Sequence, residues 1–332
     1  MKRNVRRIGG ICAVGLLCLP SLKAQEPPTK VSLAARVELY PIQTLTLSDQ
    51  QFLGGQESAG KLVTVGGQFR IAQGMGRLPV VVMIHGSGGV GANIDTWSNQ
   101  FIAMGVSTFV IDGFTGRGLT TVTADQALLG RLNLILDVYR VLDILAKHPR
   151  VDPSRVVLMG FSRGGQAALY ASVKRFQRMW NKSGIEFAAY IAFYPDCSTT
   201  YVDDVVVADR PIRIFHGTRD DFNPVAPCKA YVEKLRSAGR DVQLAEYPNA
   251  PHAFDNPLYN QPATINPTFQ TVRHCSIREE PGGQLINAST RQPFTYADSC
   301  VERGPHTGYD PTAARTAHQA VGEFIKAVFK LR

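Results

Sequence analysis

The stretch that decides the fold reads Arg155-Val156-Val157-Leu158-Met159-Gly160-Phe161-Ser162-Arg163-Gly164-Gly165. Its first five residues predict a strand and a helix is predicted to begin at Ser162, so the pattern Gly-x-Ser-x-Gly lies at a strand–turn–helix junction. Such a turn projects the serine hydroxyl beyond the edge of a sheet and leaves the next backbone N–H aimed at the same space. We therefore expect Ser162 to be a nucleophile and the N–H of Arg163 to donate to an oxyanion.

Strands and helices alternate along the chain on both sides of this junction. The predicted strands are 79–84, 107–111, 155–159, 188–193, 211–215 and 241–247. The predicted helices are 93–104, 123–147, 162–180, 226–238 and 311–331. Ahead of them, residues 45–53 and 61–72 are predicted to form an antiparallel pair of strands. This alternation predicts an α/β fold, with a mostly parallel central sheet and helices on both of its faces.

A serine nucleophile needs a general base and a carboxylate that orients the base, and in sheets of this kind they follow in the order Asp, then His. Two adjacent acids, Asp220 and Asp221, come after the strand 211–215. Because adjacent side chains point in different directions, only one of them can face the base. We expect Asp220, from its distance behind the glycine that ends the strand, with Asp221 as the alternative.

Four histidines follow these acids, namely His252, His274, His306 and His318. His252 comes directly after the last predicted strand, in the loop where the base of such a triad belongs. His318 falls within the last helix, and the other two fall in a long irregular stretch. Position and order therefore favour His252 as the general base.

The loop after strand 79–84 reads His85-Gly86-Ser87-Gly88-Gly89. Its glycines allow backbone N–H groups to converge on a ligand, and it lacks the spacing and the lysine of phosphate-binding loops. We expect the N–H of Ser87 or that of Gly88 to be the second donor to the oxyanion. The aromatic side chains expected along the pocket wall are Phe161, Phe114 and Trp97.

Four motifs together resemble the dienelactone hydrolase-like group of the α/β-hydrolases: 85–89, 160–165, the loop from His216-Gly217 to Asp220, and Ala250-Pro251-His252-Ala253-Phe254. The resemblance covers roughly residues 60–255 and the final helix, and it implies the α/β-hydrolase fold with a Ser-Asp-His triad. Dienelactone hydrolases proper use a cysteine nucleophile, whereas this chain has Ser162. The resemblance therefore implies hydrolysis of ordinary esters rather than of dienelactones.

The first 24 residues have the composition of a secretory signal peptide. Five of the 36 basic residues and no acidic residue lie there, around an uncharged apolar run from 8 to 22 that small Ala24 closely follows. A run this short favours a cleaved signal peptide over a membrane anchor. We expect cleavage after Ala24 and a periplasmic or secreted protein. Removing these five charges lowers the formal net charge from +9 to +4, which does not favour a nucleic-acid-binding face.

The remaining cysteines are Cys197, Cys228, Cys275 and Cys300. An even number in an exported protein suggests two disulfides, and four cysteines allow three pairings. In the implied fold, Cys197 and Cys228 lie at the active-site edge of neighbouring strands, which favours a bond between them and leaves Cys275 to pair with Cys300. None of these cysteines has the spacing of a zinc site.

Residues 256–309 are rich in Pro, Gly, Asn, Thr and Gln and contain no clear helix or strand. A stretch of this length is too long for an ordinary connection. We expect an irregular insertion that packs over a single α/β-hydrolase domain spanning 25–332 and precedes its C-terminal helix.

These features predict a serine hydrolase that cleaves carboxylic esters or lactones through an acyl-enzyme, with Ser162 as nucleophile, His252 as base and Asp220 as orienting acid. Such a mechanism requires neither a metal nor an organic cofactor. A peptidase or acyltransferase with the same triad, and a hydrolase-like binding protein, are the alternatives. The expected partner is a small-molecule ester, with no nucleic acid and no stable membrane anchor, and the expected state is a monomer or weak oligomer.

Overall fold

Eight strands form one central sheet in a computed structural model that describes residues 34–331. The strands of the chain are β1 (Arg36–Thr46), β2 (Lys61–Ile71), β3 (Leu78–Ile84), β4 (Ser107–Asp112), β5 (Val151–Phe161), β6 (Ala189–Phe193), β7 (Thr199–Thr200), β8 (Ile212–Gly217), β9 (Val242–Tyr247), β10 (Thr264–Ile265), β11 (Gln270–Thr271), β12 (Ile277–Glu280), β13 (Gln284–Asn287), β14 (Glu302–Arg303) and β15 (His306–Thr307). The α-helices are α1 (Asp49–Leu53), α2 (Ala92–Ala103), α3 (Asn133–Lys147), α4 (Arg163–Tyr170), α5 (Lys174–Trp180), α6 (Val225–Ser237) and α7 (Pro311–Phe329).

The central sheet has the strand order β1-β2-β4-β3-β5-β6-β8-β9. β1 and β2 pair antiparallel, as do β2 and β4, whereas all pairs from β4 to β9 are parallel. The α/β fold with a mostly parallel sheet is therefore confirmed. Because parallel strands end at the same edge, the residues that follow β3, β5, β6, β8 and β9 meet at one edge of the sheet.

Helices cover both faces of this sheet, and the alternation of side chains along each strand supplies both cores. On β3, Val80 and Val82 pack into the core that α3 and α4 cover, whereas Val81 and Met83 pack into the core that α2 and α7 cover. All four side chains are fully buried. A strand buried on both faces explains the continuous apolar run in this part of the sequence.

The predicted strand over 45–53 is wrong, because β1 ends at Thr46 and a helix begins at Asp49. Ser48 caps this helix: its hydroxyl accepts from the N–H of Gln51, and the Gln51 side chain accepts from the N–H of Ser48 at 2.8 Å. This reciprocal capping box stabilises a helix start where the apolar residues alone indicated a strand.

The predicted helix over 123–147 begins only at Asn133. The carbonyl of Leu129 accepts a hydrogen bond from the Arg163 guanidinium, and the N–H of Gln126 donates to Gln270 Oε1 at 2.8 Å. Because side chains from α4 and from the insertion occupy these backbone groups, the segment cannot use them within a helix.

The predicted helix over 162–180 is broken after Tyr170 into α4 and α5. The hydroxyl of Ser172 donates to the carbonyl of Leu169 at 2.6 Å, and Val173 forms an antiparallel bridge with Val207. The pairing with residue 207 is a tertiary contact that the helical periodicity of the sequence does not reveal.

The region 256–309 contains short strands, which corrects the expectation of no regular element. β12 pairs with β13 and, in parallel, with β7, while β10 pairs with β15 and β11 with β14. These strands have only two to four residues, too few for an alternating pattern to be recognised. Through β7 the insertion is attached to the loop that follows β6.

The predicted signal peptide lies outside the described residues. Within residues 34–331, no helix is long and apolar enough to cross a membrane.

Candidate active site

Ser162 lies at the turn between β5 and α4, with φ 53° and ψ −115°. A positive φ is strained for a residue with a side chain, and such strain is typical of functional turns. The backbone holds the turn in place, because the N–H of Ser162 donates to the carbonyl of Phe193 on β6 at 2.9 Å. The turn therefore presents the hydroxyl at the carboxyl edge of the central strands.

The two glycines that flank Ser162 are required by close packing. A Cβ atom on Gly160 would lie 1.9 Å from the carbonyl oxygen of Gly164, and a Cβ on Gly164 would lie 2.3 Å from that of Ile84. Any larger residue would force α4 away from β5 and β3. The Gly-x-Ser-x-Gly pattern thus has a steric cause in this chain.

The loop after β9 brings His252 to this serine. Its Nε2 lies 2.9 Å from Ser162 Oγ, and its Nδ1 lies 2.7 Å from Asp220 Oδ2. Because a carboxylate only accepts hydrogen bonds, Nδ1 carries the proton and Nε2 is left to accept from the hydroxyl. The three side chains form a chain in which a proton can move from serine to imidazole.

Asp220, and not Asp221, faces the imidazole. Its other oxygen, Oδ1, accepts from the N–H groups of Phe222 at 2.9 Å and Asn223 at 2.8 Å, which fixes the carboxylate. The side chain of Asp221 points the other way, toward His306 Nδ1 at 2.9 Å. His274 and His318 likewise lie away from the serine: the former pairs with Glu302 and the latter stacks on Trp97.

Two aromatic rings pack against the His252 ring. The ring of Tyr194 lies 4.7 Å away and that of Phe222 4.6 Å away, each in an edge-to-face arrangement. Tyr194 adopts a φ of 36°, and its hydroxyl donates to Asp255 Oδ1 at 2.6 Å. The His252 ring is therefore linked through Tyr194 to the carboxyl group of Asp255, which lies only three residues further along the same loop.

Asp255 was missed by the sequence analysis. It is buried and accepts two further hydrogen bonds at Oδ2, from Trp97 Nε1 at 2.8 Å and from Asn93 Nδ2 at 3.3 Å, both on α2. Burial raises the pKa of this carboxyl because the charged form loses its hydration. The signal available in the sequence was an acidic residue that directly follows the apolar residues Ala253 and Phe254.

The loop 85–89, in which the second donor to the oxyanion is predicted, lies beside the serine. Ser87 and Gly88 both line the space beside Ser162. The buried ring of His85 fixes the loop, since its Nδ1 bonds to the carbonyl of Gly86 at 2.7 Å and its Nε2 accepts from the N–H of Gly113 at 3.0 Å. The N–H of Arg163 belongs to the first turn of α4, whose N–H groups have no acceptor within the helix.

Of the three aromatic residues expected along the pocket wall, Phe161 lines the space beside Ser162. The expectation is wrong for Phe114 and Trp97, because both are core residues. Phe114 packs on the ring of His85 at 4.4 Å, and Trp97 lies between Phe193 and His318. Both side chains pack in the core beneath the pockets and do not line them.

Two pockets adjoin Ser162, and Ser87 lines both of them. The His252 pocket, of about 90 Å³, is lined by Gly86, Gly88, Phe161, His252 and Tyr259 among others. The arginine pocket, of about 40 Å³, is lined by Arg131, Arg163, Gln166, Asp196, Val272 and Tyr296 among others. The serine hydroxyl therefore has space on two sides, one beside the base and one under the insertion.

Both disulfides expected from the sequence are present. Cys197, in the loop after β6, is bonded to Cys228 on α6, and Cys275 is bonded to Cys300 within the insertion. The first bond links the two segments that flank the loop of Asp220, and the second closes the insertion on itself. Within the described part of the chain, no group of three or more His, Cys, Asp or Glu residues could hold a metal ion.

A family model described as the dienelactone hydrolase family matches residues 67–329. The match extends from β2 to α7 and includes the three hydrogen-bonded residues. Among curated proteins, acyl-protein thioesterase 1 of Gibberella zeae is 32% identical over 108 residues, which are 30% of this chain and 42% of that protein. The chain thus covers about two fifths of the length of this curated relative.

Among solved structures, a dienelactone hydrolase-like promiscuous phosphotriesterase from metagenomic libraries aligns over 88% of this chain and 98% of its own, with 16% identity and a TM-score of 0.55. Esterase 2 of Thermogutta terrifontis, phosphorylated by paraoxon, aligns over 71% of this chain and 90% of its own, with 17% identity and a TM-score of 0.50. At these identities the likeness concerns the fold, which is that of the α/β-hydrolases.

Proposed function

Because the chain belongs to the dienelactone hydrolase family, we propose that it is a serine-dependent hydrolase of carboxylic esters, lactones included, which acts through an acyl-enzyme. The observation that carries this proposal is the hydrogen-bonded chain from Ser162 Oγ to His252 Nε2 (2.9 Å) and from His252 Nδ1 to Asp220 Oδ2 (2.7 Å). These contacts arise at a strained strand–helix turn, which holds a nucleophile at the edge of the sheet with its base oriented.

In the proposed mechanism, His252 takes the proton of Ser162 as Oγ attacks the carbonyl carbon of the ester. The negative charge that develops on the carbonyl oxygen is stabilised by the N–H of Arg163 and by that of Ser87 or Gly88. The imidazolium, held by Asp220, then gives its proton to the leaving alcohol. Water activated by the same imidazole attacks the acyl-enzyme and releases the acid.

We propose in addition that residues 1–24 are a signal peptide removed on export to the periplasm or beyond. The mature chain, 25–332, would then be a single hydrolase domain that carries the insertion 256–309 before its C-terminal helix. Two disulfides support this proposal, because disulfides persist in oxidising compartments.

Replacing the nucleophile tests the proposed function. The Ser162→Ala variant is expected to lose at least about 10³-fold in kcat/KM on p-nitrophenyl acetate and butyrate, and to lose labelling by a fluorophosphonate probe. Ser98→Ala is a matched control, because Ser98 is also buried, lies on α2 and has an Oγ without a hydrogen-bond partner among the described residues. Full esterase activity of Ser162→Ala would overturn the proposal.

A substrate panel separates the ester hydrolase from its alternatives. Esters and lactones are expected to be cleaved much faster than the corresponding anilides, which would exclude a peptidase. Acyl transfer to added alcohols in place of water would indicate an acyltransferase. Short acyl thioesters belong in the panel as well, because one relative is an acyl-protein thioesterase.

A further inference from the structure

Three side chains that line the arginine pocket each have a buried nitrogen donor without a hydrogen-bond acceptor among the described residues. These donors are Arg131 Nε, Arg163 Nε and Gln166 Nε2. Buried donors are nearly always paired, because an unpaired one loses its hydration without compensation. Three such donors around one cavity, directly beside Ser162, indicate that the pocket is built for a group rich in acceptors.

The guanidinium of Arg163 also lacks a counter-ion. Only 5% of this residue is exposed, and its side chain donates to Gln126 Oε1 at 2.7 Å and to the carbonyl of Leu129, both of which are neutral. Within residues 34–331, no carboxylate lies at ion-pair distance from it. A buried cation without a partner is costly, so an anionic ligand would be favoured here over a neutral one.

The second guanidinium, that of Arg131, has one acidic neighbour. Its Nη1 lies 3.4 Å from Asp196 Oδ2 and donates to Thr199 Oγ1 at 2.7 Å, while Nη2 donates to Tyr296 Oη at 3.0 Å. The carboxyl of Asp49 also acts electrostatically on both guanidiniums, and burial raises its pKa. Within residues 34–331, Asp196 is therefore the one carboxylate at ion-pair distance from either of these two guanidiniums.

The size of the cavity limits the ligand to a small group. About 40 Å³ admits a carboxylate but not an extended chain. A carboxylate is planar and offers about four lone-pair sites, which suits guanidinium and amide donors on different sides of it. The insertion closes this pocket, since Val272 and Tyr296 line it and Thr271 Oγ1 donates to the carbonyl of Phe222 at 2.6 Å.

The position of the base determines which half of the substrate enters the pocket. The leaving alcohol must take its proton from His252 Nε2, so it departs through the His252 pocket. His252 does not line the arginine pocket, which is therefore left for the acyl group.

We propose that the arginine pocket binds a carboxylate at the far end of a short acyl chain, so that the preferred substrates are half-esters of short dicarboxylic acids. This proposal rests on the proposed function. The reaction is ordinary hydrolysis, in which the ester C–O bond breaks, one water is consumed, and the alcohol and the dicarboxylate are released. The free dicarboxylate would occupy the same pocket as a product.

The experiment compares monoethyl malonate, succinate and glutarate with neutral ethyl esters of matched chain length, following the released ethanol. The best half-ester is expected to exceed its neutral counterpart at least tenfold in kcat/KM, because charge-assisted hydrogen bonds form only with the anion. The corresponding free dicarboxylate is expected to inhibit competitively, and the monocarboxylate of equal length is expected to inhibit at least tenfold more weakly.

Variants then test whether residues of the arginine pocket cause the preference for half-esters. Arg131→Gln is expected to lose at least ten times more activity on the half-ester than on the neutral ester, and Gln166→Met is expected to act in the same direction by a smaller factor. Gln166→Met also serves if Arg131→Gln does not fold. Arg140→Gln, which breaks a surface ion pair with Glu57, is the matched control and should leave the preference unchanged.

The outcomes separate the two proposals. Equal turnover of half-esters and neutral esters would overturn the carboxylate pocket and leave the serine hydrolase standing. A preference for half-esters that both pocket variants retain in full would also overturn the pocket. Failure to cleave any ester would contradict the proposed function itself.

Discussion

The two pockets beside Ser162 differ in what builds them. The His252 pocket is lined mainly by residues that follow strands of the central sheet, namely the loop 85–89 after β3, Tyr194 after β6 and His252 after β9, and the insertion adds Asn256 and Tyr259. The arginine pocket combines Arg163 and Gln166 of α4 with residues 270–272 and 296 of the insertion. In the two proposals above, residues that follow the sheet strands carry out the reaction, while the insertion, which lies far away in sequence, contributes to the choice of substrate.

The largest effect is expected from the sheet-built half of the site, by which we mean Ser162, Asp220, His252 and the His252 pocket; the arginine pocket is the insertion-built half. Asp220→Asn should lower kcat on p-nitrophenyl butyrate by about 10³- to 10⁴-fold, because an amide cannot hold the imidazole in the required tautomer or stabilise its charged form. Asp221→Asn is the matched control, since this neighbour bonds to His306 and Arg273 instead. Steady-state kinetics on both variants measures the difference.

A loss in Asp221→Asn that equals the loss in Asp220→Asn would contradict the proposed triad. Half-esters and neutral esters should suffer equally from Asp220→Asn. Unequal losses would mean that Asp220 affects the preference between the two substrates as well as the rate of the reaction.

The sheet-built half could be predicted from the sequence, and the reason is geometric. Ser162, Asp220 and His252 each follow a strand of a parallel sheet, so strand order and loop position bring them to one edge without knowledge of any side-chain contact. The glycines around Ser162 mark a close approach that only they permit. Local pattern and tertiary structure agree at these positions.

The insertion-built half could not be predicted, because its residues are defined by contacts across long sequence distances. Arg131 lies in a stretch that resembles a continuous helix, and only the bonds to Thr199 and Tyr296 identify it as buried. Gln166 lies one helical turn after Ser162, a spacing that indicates a shared face but no ligand. Asp255 becomes informative only once Tyr194 and Trp97 are seen to bond to it.

Removing each disulfide in turn offers a second way to test whether the two pockets have different roles. Their sequence separations are 31 for Cys197–Cys228 and 25 for Cys275–Cys300, so loop closure alone assigns each a similar contribution of about 3–4 kcal/mol to the free energy of unfolding. Replacing both cysteines of either pair by serine should therefore cost similar stability, measured by urea unfolding.

Their catalytic effects should differ. Loss of Cys275–Cys300 loosens the insertion and should reduce the preference for half-esters more than the activity on neutral esters. Loss of Cys197–Cys228 loosens the segments around Asp220 and should lower both activities together. If both double variants changed the preference for half-esters to the same extent, the assignment of this preference to the arginine pocket would be wrong.

The smallest effect concerns the support behind the His252 pocket. His318 stacks on Trp97 at 3.7 Å, and Trp97 in turn donates to Asp255. Burial lowers the pKa of His318 to about 4, against about 6.5 in an unfolded chain. Between these values the unfolded chain binds a proton that the folded protein does not, so stability falls as the pH falls from 6.5 toward 4.

His318→Gln removes the group that takes up this proton. The free energy of unfolding should therefore fall by about 1–2 kcal/mol less between pH 7 and pH 4 in the variant than in the wild type, since partial exposure of His318 reduces the full effect of its pKa shift. Urea unfolding of wild type and variant at each pH measures it, and contributions of other groups, such as Asp255, cancel in the difference. His274→Gln, at a mostly exposed histidine, should change the slope less.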